Sequence, residues 1–256
     1  MIDPRAYWEE RSRRYGSSPE GWKAVCHLGG PEAVNRLLHR LQKRALDRAI
    51  GRARAARWLD FGCGVGRWEN EYAGRAGLIC GVDISSEMLV RFRERFRVRD
   101  GRLFPAQFDG SRLPFRDCAF DLIFSVTVLL HILDGKSLER AVSEICRVAR
   151  PGGQIVIVES FSPPGRPEPA HVRFRPEERV VGRFRERGWA LSSSRSVYRL
   201  LPGDAFLAGK TRRALLRLLL PCYYGLNLLA QALNLPAPPP SQKIHVYEKR
   251  DERPPR

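Results

Sequence analysis

The stretch Trp58-Leu-Asp-Phe-Gly-Cys-Gly-Val-Gly-Arg67 decides the fold class of this chain. A short apolar run leads into glycines at alternate positions, Gly62, Gly64 and Gly66. Because glycine has no Cβ, such a loop lets the backbone approach a ligand closely at the end of a strand. The pattern predicts a strand that ends in a ligand-binding loop. A tight strand-to-helix turn without a ligand would use the same glycines and stays open as an alternative.

Apolar runs and helical stretches alternate on both sides of this loop. Strand-like apolar runs occupy residues 56–61, 78–83, 102–108, 120–126, 154–160, 189–198 and 243–249. Helical spacing is found at residues 67–75, 86–96, 137–149 and 177–187. Alternation of this kind is typical of an α/β fold, and it predicts a Rossmann-like, doubly wound, mostly parallel sheet of seven strands.

The pattern divides the chain into four segments. Residues 1–50 carry apolar side chains at helical intervals and predict an N-terminal helical lid. Residues 51–201 form the core, residues 202–240 a helical insertion before the last strand, and residues 241–256 the last core strand with a basic tail.

The insertion contains an apolar stretch, Leu215 to Leu235, that is about as long as a membrane span. Arg217, Pro221 and other polar or helix-breaking residues interrupt it. We therefore predict two short helices that lie over the substrate mouth and cover a hydrophobic acceptor. Two alternatives remain: peripheral contact of residues 210–235 with an anionic membrane, and contact with a second copy in an oligomer.

The composition is that of a globular chain, with 43% hydrophobic and 29% charged residues. A formal net charge of +17 raises nucleic acid as a partner, but the arginines are dispersed and often stand beside acids, so this partner is not favoured. The six cysteines show no CxxC pair and no metal-ligand spacing, and no metal site is expected. The N-terminus lacks the pattern of a signal peptide, so we expect a cytoplasmic protein. Such a protein could also contact a membrane peripherally.

The residues around the glycine loop discriminate between cofactors. A dinucleotide fold uses G-x-G-x-x-G, whereas the spacing here is G-x-G-x-G and Arg67 takes the place of the third glycine. Asp60 precedes the loop, where a carboxylate would repel a pyrophosphate but attract the ammonium group of an amino-acid moiety. These features favour S-adenosylmethionine over NAD.

Two further acids follow later strands. Asp83 ends the run Ile79-Cys-Gly-Val-Asp83, where a carboxylate can accept both ribose hydroxyl protons. Asp109 follows the third strand and is placed to accept a hydrogen bond from an adenine amino group. A single acid is often a loop cap, but acids at three successive strand ends indicate a nucleoside-binding edge.

On these motifs the chain resembles the class I S-adenosylmethionine-dependent methyltransferases, in particular the ubiquinone-type and natural-product branch. The resemblance covers roughly residues 55–160 and includes the run 120–132 and the segment 144–153. It implies that Asp60, Gly62, Gly64 and Gly66 surround the methionine part of the cofactor. The full set of implied cofactor-binding residues is Tyr7, Trp8, Arg11, Asp60, Gly62, Cys63, Gly64, Gly66, Asp83, Ile84, Met88, Asp109, Gly110, Ser125 and Val126.

The same resemblance assigns finer roles. Asp83 and Ile84 would hold the ribose, Asp109 and Gly110 the adenine, and Ser125 and Val126 the floor of the pocket. The family often places an aromatic and basic N-terminal helix over the cofactor, and Tyr7, Trp8 and Arg11 match this lid. Arg11 or Arg14 is then the expected partner of the cofactor carboxylate. A plain amphipathic helix would contain the same residues.

Two residues are candidates for acid–base chemistry. His131 follows the fourth strand and Glu159 closes the fifth. In the natural-product branch, the histidine can act as a base that an acid orients, and we expect Glu159 to hydrogen-bond His131 and raise its basicity. In the alternative interpretation His131 packs or contacts the cofactor without accepting a proton.

The sequence therefore predicts an S-adenosylmethionine-dependent methyltransferase that releases S-adenosylhomocysteine and acts on a small, hydrophobic acceptor, most readily on oxygen. One alternative is a methyltransferase of RNA or protein. Methyltransferases that act on bases carry an NPPY-like tetrad after the fourth strand, whereas this chain has Phe124-Ser-Val-Thr127 there, which counts against that alternative. A second alternative is a non-catalytic module that binds a membrane or a partner through the insertion.

Overall fold

The computed structural model describes residues 2–16, 22–26, 32–51, 57–96, 102–162, 168–199, 210–233, 235–236 and 241–249. Seven strands form one sheet: β1 (Arg57–Phe61), β2 (Leu78–Asp83), β3 (Leu103–Gln107), β4 (Phe120–Val126), β5 (Ala149–Phe161), β6 (Ala190–Ser196) and β7 (Ser241–Glu248). The helices of the described residues are α1 (Pro4–Tyr15), α2 (Trp22–Val25), α3 (Glu32–Ile50), α4 (Glu69–Tyr72), α5 (Ser86–Phe96), α6 (Gly135–Val148), α7 (Glu177–Arg185) and α8 (Lys210–Ala232).

The order of the strands across the sheet is β3-β2-β1-β4-β5-β7-β6. Pairing is parallel from β3 through β5, and β7 runs antiparallel to both of its neighbours. The chain order reverses between β1 and β4, so the loops that follow these strands diverge and leave a crevice at their carboxyl ends. The predicted fold class is confirmed, and the crevice lies at the glycine loop.

Apolar side chains cover both faces of the sheet. All seven residues of β4 are buried, as a parallel strand between two helical layers requires. On one face α6 contributes Leu138, Ala141, Val142 and Ile145, whose helical spacing forms one apolar stripe. On the other face α3 packs through its own apolar stripe. The two layers fix the strand ends that carry the site.

Local signals account for several boundaries. The Ser85 hydroxyl accepts a hydrogen bond from Met88 N at 3.2 Å, so Ser85 caps the N-terminus of α5. The Asp134 side chain caps α6 by accepting from Ser137 N at 2.8 Å. The helix expected at residues 67–75 is only Glu69–Tyr72, because the glycine loop continues to Trp68 before the first helical turn.

The insertion differs from the prediction of two short helices, which is wrong for the described residues. Its described part is one helix, Lys210–Ala232, with Pro221 inside it. Tyr223 and Tyr224 pack against the core on the α3 side, and Asn227 and Ala230 are buried. Tertiary packing thus stabilises a continuous helix, although Pro221 alone would be expected to interrupt it. Among the described helices, none combines the length and apolar character needed to cross a bilayer.

Candidate active site

A cavity of about 570 Å³ opens at the carboxyl ends of β1, β2 and β4. The glycine loop, Asp83 and the segment 108–111 line one end of it. The turn 126–134 and the first turns of α1 line the other end. A volume of this size suits a cofactor and part of a small acceptor.

Backbone conformation explains why the loop needs its glycines. Gly62, Gly64 and Gly66 have φ values of 85°, 55° and 81°, in the left-handed region that side chains disfavour. A Cβ at Gly62 would lie 2.3 Å from the Val128 side chain. A Cβ at Gly66 would lie 2.2 Å from the Phe96 ring. Glycine is therefore required in this loop both by the positive φ values and by the side chains that pack against Gly62 and Gly66.

Two carboxyl groups lie beneath this loop. Asp60 and Glu69 are both essentially buried, and none of their four oxygens has a hydrogen-bond donor among the described residues. Burial raises the pKa of both groups well above the usual range, and their proximity raises that of Glu69 further. Arg67 opposes the shift of Asp60. Burial therefore disfavours the ionised form of both carboxyls, and most strongly the ionisation of both at once.

Asp83 is placed as a hydrogen-bond acceptor at the cavity wall. Its Oδ2 accepts from Gly64 N and its Oδ1 from Ser85 N, both at 2.9 Å. Burial raises the pKa of Asp83 to about 6, although these backbone donors oppose the shift. The carboxylate is mostly ionised at neutral pH and keeps acceptor capacity for a ligand.

Asp109 lies at the exposed rim of the same end. Its Oδ1 accepts from Ser111 N at 2.8 Å and from the Ser111 hydroxyl. These hydrogen bonds lower the pKa of Asp109 below the usual range. Gly110 has a φ of 90° and open space at its Cβ position, so a flat ring can approach its backbone. The segment forms the rim that the adenine was predicted to contact.

His131 lines the other end of the cavity. Its Nδ1 lies 2.9 Å from the carbonyl oxygen of His171, so Nδ1 carries the proton and donates it. No described residue is a partner of Nε2, which is left as a lone-pair acceptor. Burial lowers the pKa of His131 to about 4, so the ring is neutral at physiological pH.

The predicted pairing of Glu159 with His131 is corrected by these contacts. Glu159 is buried, and its carboxylate accepts from Leu130 N at 3.1 Å and Ser160 N at 2.8 Å. The His171 carbonyl, not Glu159, fixes the imidazole. Burial raises the pKa of Glu159 to about 7. The acid is bound to the backbone of the turn because those buried N–H groups need an acceptor.

Arg175 stabilises the same turn from the other side. Its guanidinium donates to Leu129 O at 3.1 Å and to Ile132 O. The Glu159 charge partly offsets the cost of burying Arg175. Sequence reasoning missed Arg175 because its partners are backbone carbonyls far away in the chain. Thr127, at a φ of 57°, begins the turn in a strained conformation that often marks functional sites.

The N-terminal helix contacts this end through aromatic rings. Trp8 meets the His131 ring edge to face, with centroids 4.8 Å apart, and Tyr7 stacks on His171 at 4.5 Å. Arg11 donates to the Tyr7 hydroxyl and to Cys26 O. Only Trp8 of these three predicted lid residues lines the cavity. Arg14 lies over the Tyr15 ring instead.

The cavity brings most of the predicted residues together. Those that line it are Trp8, Gly62, Cys63, Gly64, Asp83, Ile84, Met88, Asp109, Gly110, Val126 and His131. Those that do not are Tyr7, Arg11, Asp60, Gly66, Ser125 and Glu159. Ser125 instead donates to Phe61 O at 3.0 Å and fixes β4 to β1.

Several lining residues were not predicted. The acceptor end also contains Thr127, Ile132, Leu133 and Arg140. The Asp134 cap of α6 was the signal that could have placed this turn at the site. No described residue of α8 lines the cavity; the helix packs on α3 and along β6. The predicted cover over the substrate mouth is therefore not formed by the described part of the insertion, and residues 201–209 and 237–240 lie outside the described part.

Comparison with known proteins gives three consistent similarities. Residues 59–157 match the model of a protein family described as "Methyltransferase domain". A ubiquinone/menaquinone biosynthesis C-methyltransferase of Ectopseudomonas mendocina is 34% identical, over 65% of this chain and 71% of the relative. A phosphatidylethanolamine N-methyltransferase of Cereibacter sphaeroides is 37% identical, over 43% of this chain and 53% of the relative.

Solved structures share the fold. The N-methyltransferase NodS from Bradyrhizobium japonicum, solved with S-adenosylhomocysteine, superposes with a TM-score of 0.61 at 14% identity, over 96% of this chain and all of that one. The chain spans about half to three fifths of the length of several curated relatives that it matches.

Proposed function

The chain belongs to the class I S-adenosylmethionine-dependent methyltransferases, and from this premise we propose that it methylates a hydroxyl group of a small, hydrophobic molecule. The observation that carries the acceptor half of the proposal is His131, whose ring is held by the His171 carbonyl and presents Nε2 at the cavity. The names of two relatives, one for phosphatidylethanolamine and one for ubiquinone and menaquinone biosynthesis, support an acceptor that is a small molecule.

The residues at the loop end fit S-adenosylmethionine. The buried Asp60 and Glu69 oxygens lack donors, which an ammonium group above the loop would partly relieve. Asp83 retains acceptor capacity for two ribose hydroxyls, and the Asp109 and Gly110 rim admits a flat base. We propose Asp60, Asp83, Asp109 and the loop backbone as the cofactor-binding groups, with Arg11 or Arg14 kept as the proposed partner of its carboxylate. When bound, the cofactor supplies an electrophilic methyl group on a sulfonium.

His131 performs the proton transfer in this proposal. Methyl transfer to a hydroxyl is an in-line displacement, and the oxygen becomes more nucleophilic as its proton leaves. Nε2 would accept that proton as the hydroxyl oxygen takes the methyl group, and the methyl–sulfur bond would break with its electron pair kept on the sulfur of the product. A pKa near 4 makes the ring a weak base, so the proton moves as the bond forms and not before. The Glu159 and Arg175 contacts hold the turn that positions the ring.

Apolar residues set the character of the acceptor. Trp8, Val128, Ile132 and Leu133 line the cavity beside His131. Burial of an apolar body against them stabilises the complex. This favours an acceptor with an aromatic or aliphatic body over a nucleic acid. The methylation of RNA or protein and the non-catalytic module remain the alternatives that the following experiment separates.

The experiment combines calorimetry with turnover. S-adenosylmethionine should bind the wild type at micromolar concentration, and S-adenosylhomocysteine should form with apolar alcohols or phenols but not with their methyl ethers. His131→Ala should lower turnover by about a hundredfold or more with unchanged cofactor affinity. Absence of cofactor binding would contradict the enzyme, and equal turnover by His131→Ala would contradict the base. Release of product only with RNA or peptide substrates would favour the first alternative.

The partner of the insertion is a separate part of the proposal. We propose peripheral membrane contact through residues 210–235, with an oligomer contact as the competing outcome. Leu226 and Leu229 of α8 and Leu233, directly after its end, are 49%, 54% and 62% exposed and together form an exposed apolar surface.

A further inference from the structure

A second concave surface lies away from the active site. It is a groove of about 970 Å³ between α3, α8 and the edge formed by β6 and β7. We call it the basic groove and define it by Arg44, Arg48 and Arg195, which line it together with polar residues of β6. None of its lining residues also lines the active-site cavity.

The charge of the basic groove is unbalanced. Arg44, Arg48 and Arg195 form no ion pair with a carboxylate of the described residues, and Arg44 Nε is buried without a hydrogen-bond partner there. The acid in the lining, Glu248, accepts from Gln154. A buried guanidinium nitrogen without an acceptor is costly, so the groove is suited to an anionic ligand.

Lys243 does not add to this imbalance. Its Nζ is paired with Glu177, which also accepts from His245 Nε2 at 2.8 Å. Arg199, which also lines the groove, is likewise engaged in an interaction, so the charge without a paired carboxylate is that of Arg44, Arg48 and Arg195.

Helix α8 forms one wall of the groove and also presents an apolar face to solvent. Leu226, Leu229 and Leu233 follow helical spacing and face the same side, and we call them the leucine stripe. The exposed Ala232 belongs to the groove wall, so both surfaces meet on this helix. Exposed apolar side chains beside cationic ones are the signature of a helix that lies at a lipid interface.

The helix is held firmly enough to present the stripe. Asn227 Oδ1 accepts from Arg199 N at 2.8 Å, and Gln231 Nε2 donates to Val197 O at 2.8 Å. Its sequence contains four basic residues, Lys210, Arg212, Arg213 and Arg217, and no acid. The leucines are thus exposed because the opposite face of α8 is tied to the sheet edge.

We propose that the basic groove and the leucine stripe together dock on an anionic phospholipid bilayer. Lipid phosphates pair with Arg44, Arg48 and Arg195, and the stripe enters the boundary between headgroups and acyl chains. This rests on the membrane contact proposed above and extends it from α8 to α3 and β6. It does not depend on methyl transfer, because the two surfaces share no residue.

The test is cosedimentation of the full chain with vesicles of phosphatidylcholine, with and without phosphatidylglycerol. We expect binding that requires phosphatidylglycerol and weakens with salt. Joint replacement Arg44→Gln, Arg48→Gln and Arg195→Gln should weaken it about a hundredfold. Joint replacement of the stripe leucines by Ser should weaken it about tenfold or more.

Matched controls separate docking from general surface effects. Arg185→Gln removes an exposed arginine of α7, and Val90→Ser an exposed apolar residue of α5. Both should bind vesicles like the wild type. Calorimetry with S-adenosylmethionine on every variant should give unchanged affinity, so a failure of methyl transfer is distinguishable from a failure of docking.

The proposal would be overturned by equal binding to both vesicle types or by unchanged binding of the triple arginine variant. Glycerol phosphate binding without vesicle binding, or single-stranded RNA binding that displaces vesicles, would also overturn it. A leucine-dependent dimer that does not bind vesicles would equally overturn it and assign the stripe to a second copy.

Discussion

At the end of the cavity formed by Gly62, Asp83 and Gly110, the groups that face a ligand are attached directly to strand ends. At the other end, His131 stands on a turn that Glu159 and Arg175 hold through backbone hydrogen bonds. The first end is built from residues at or just after the ends of β1, β2 and β3. The second is assembled from the turn after β4, the end of β5, the segment 168–175 and α1.

The two ends should therefore respond differently to substitution. Strand ends are fixed by the sheet, so a substitution at the cofactor end should act on cofactor affinity alone. The turn of His131 depends on distant buried contacts, so substitutions behind it should act on turnover and leave cofactor affinity unchanged.

Replacement of Asp83 by Ala should weaken binding of S-adenosylmethionine about a hundredfold. The change removes the acceptor for two ribose hydroxyls and leaves Gly64 N without its 2.9 Å partner. Calorimetry measures the dissociation constant. Glu94→Ala, an exposed acid on α5, is the control and should bind normally. An affinity for Asp83→Ala within a few fold of wild type would break the assignment of the cofactor end.

Lowering the pH from 7 to 5 should weaken cofactor binding about tenfold. The pKa of Asp83 is raised to about 6 by burial, so its ionised fraction falls across this range and it loses acceptor capacity. The ribose hydroxyls favour the ionised form, hence affinity is highest above pH 6 and declines as the pH falls through 6. The affinity of Asp83→Asn should stay flat over the same range; a parallel decline in that variant would assign the effect to another group.

Replacement of Glu159 by Gln should reduce turnover a few fold and leave cofactor affinity unchanged. An amide has a single acceptor oxygen, so it cannot accept from both Leu130 N and Ser160 N as the carboxylate does. The turn then loses one of its fixed contacts. Steady-state kinetics with calorimetry separate the two quantities. If the cofactor affinity falls more than the turnover, the two ends are not independent.

The cofactor end was largely predictable because its signals are local. The spacing of Gly62, Gly64 and Gly66 and the acids Asp83 and Asp109 each follow a strand within a few residues. The seven strands were also predicted, since alternation of apolar runs with helical spacing is a local property. Glu69 was missed, because a buried acid on a short helix looks like an ordinary solvated residue in the sequence.

The acceptor end was predictable only in part. The position of His131 after β4 was enough to place it at the site. Its hydrogen-bond partner is the backbone carbonyl of His171, and a backbone partner cannot be recognised from the sequence because every residue has a carbonyl. Glu159 was predicted to orient His131 because the two residues lie near the ends of adjacent strands. In the structure its carboxylate instead accepts hydrogen bonds from the backbone N–H groups of Leu130 and Ser160. The continuous α8 was missed because Pro221 suggests a break that packing on α3 overrides.

The position of β7 in the sheet has a consequence for how the molecule is made. The last strand along the chain, Ser241–Glu248, lies between β5 and β6 and pairs with both. Until these residues leave the ribosome, β6 has no partner and the edge of β5 stays unpaired, so the sheet closes only late in synthesis. Because closure entropy grows only with the logarithm of loop length, lengthening the connection between β6 and β7 would add little to its cost. The insertion can therefore lengthen or change without delaying that last step by much.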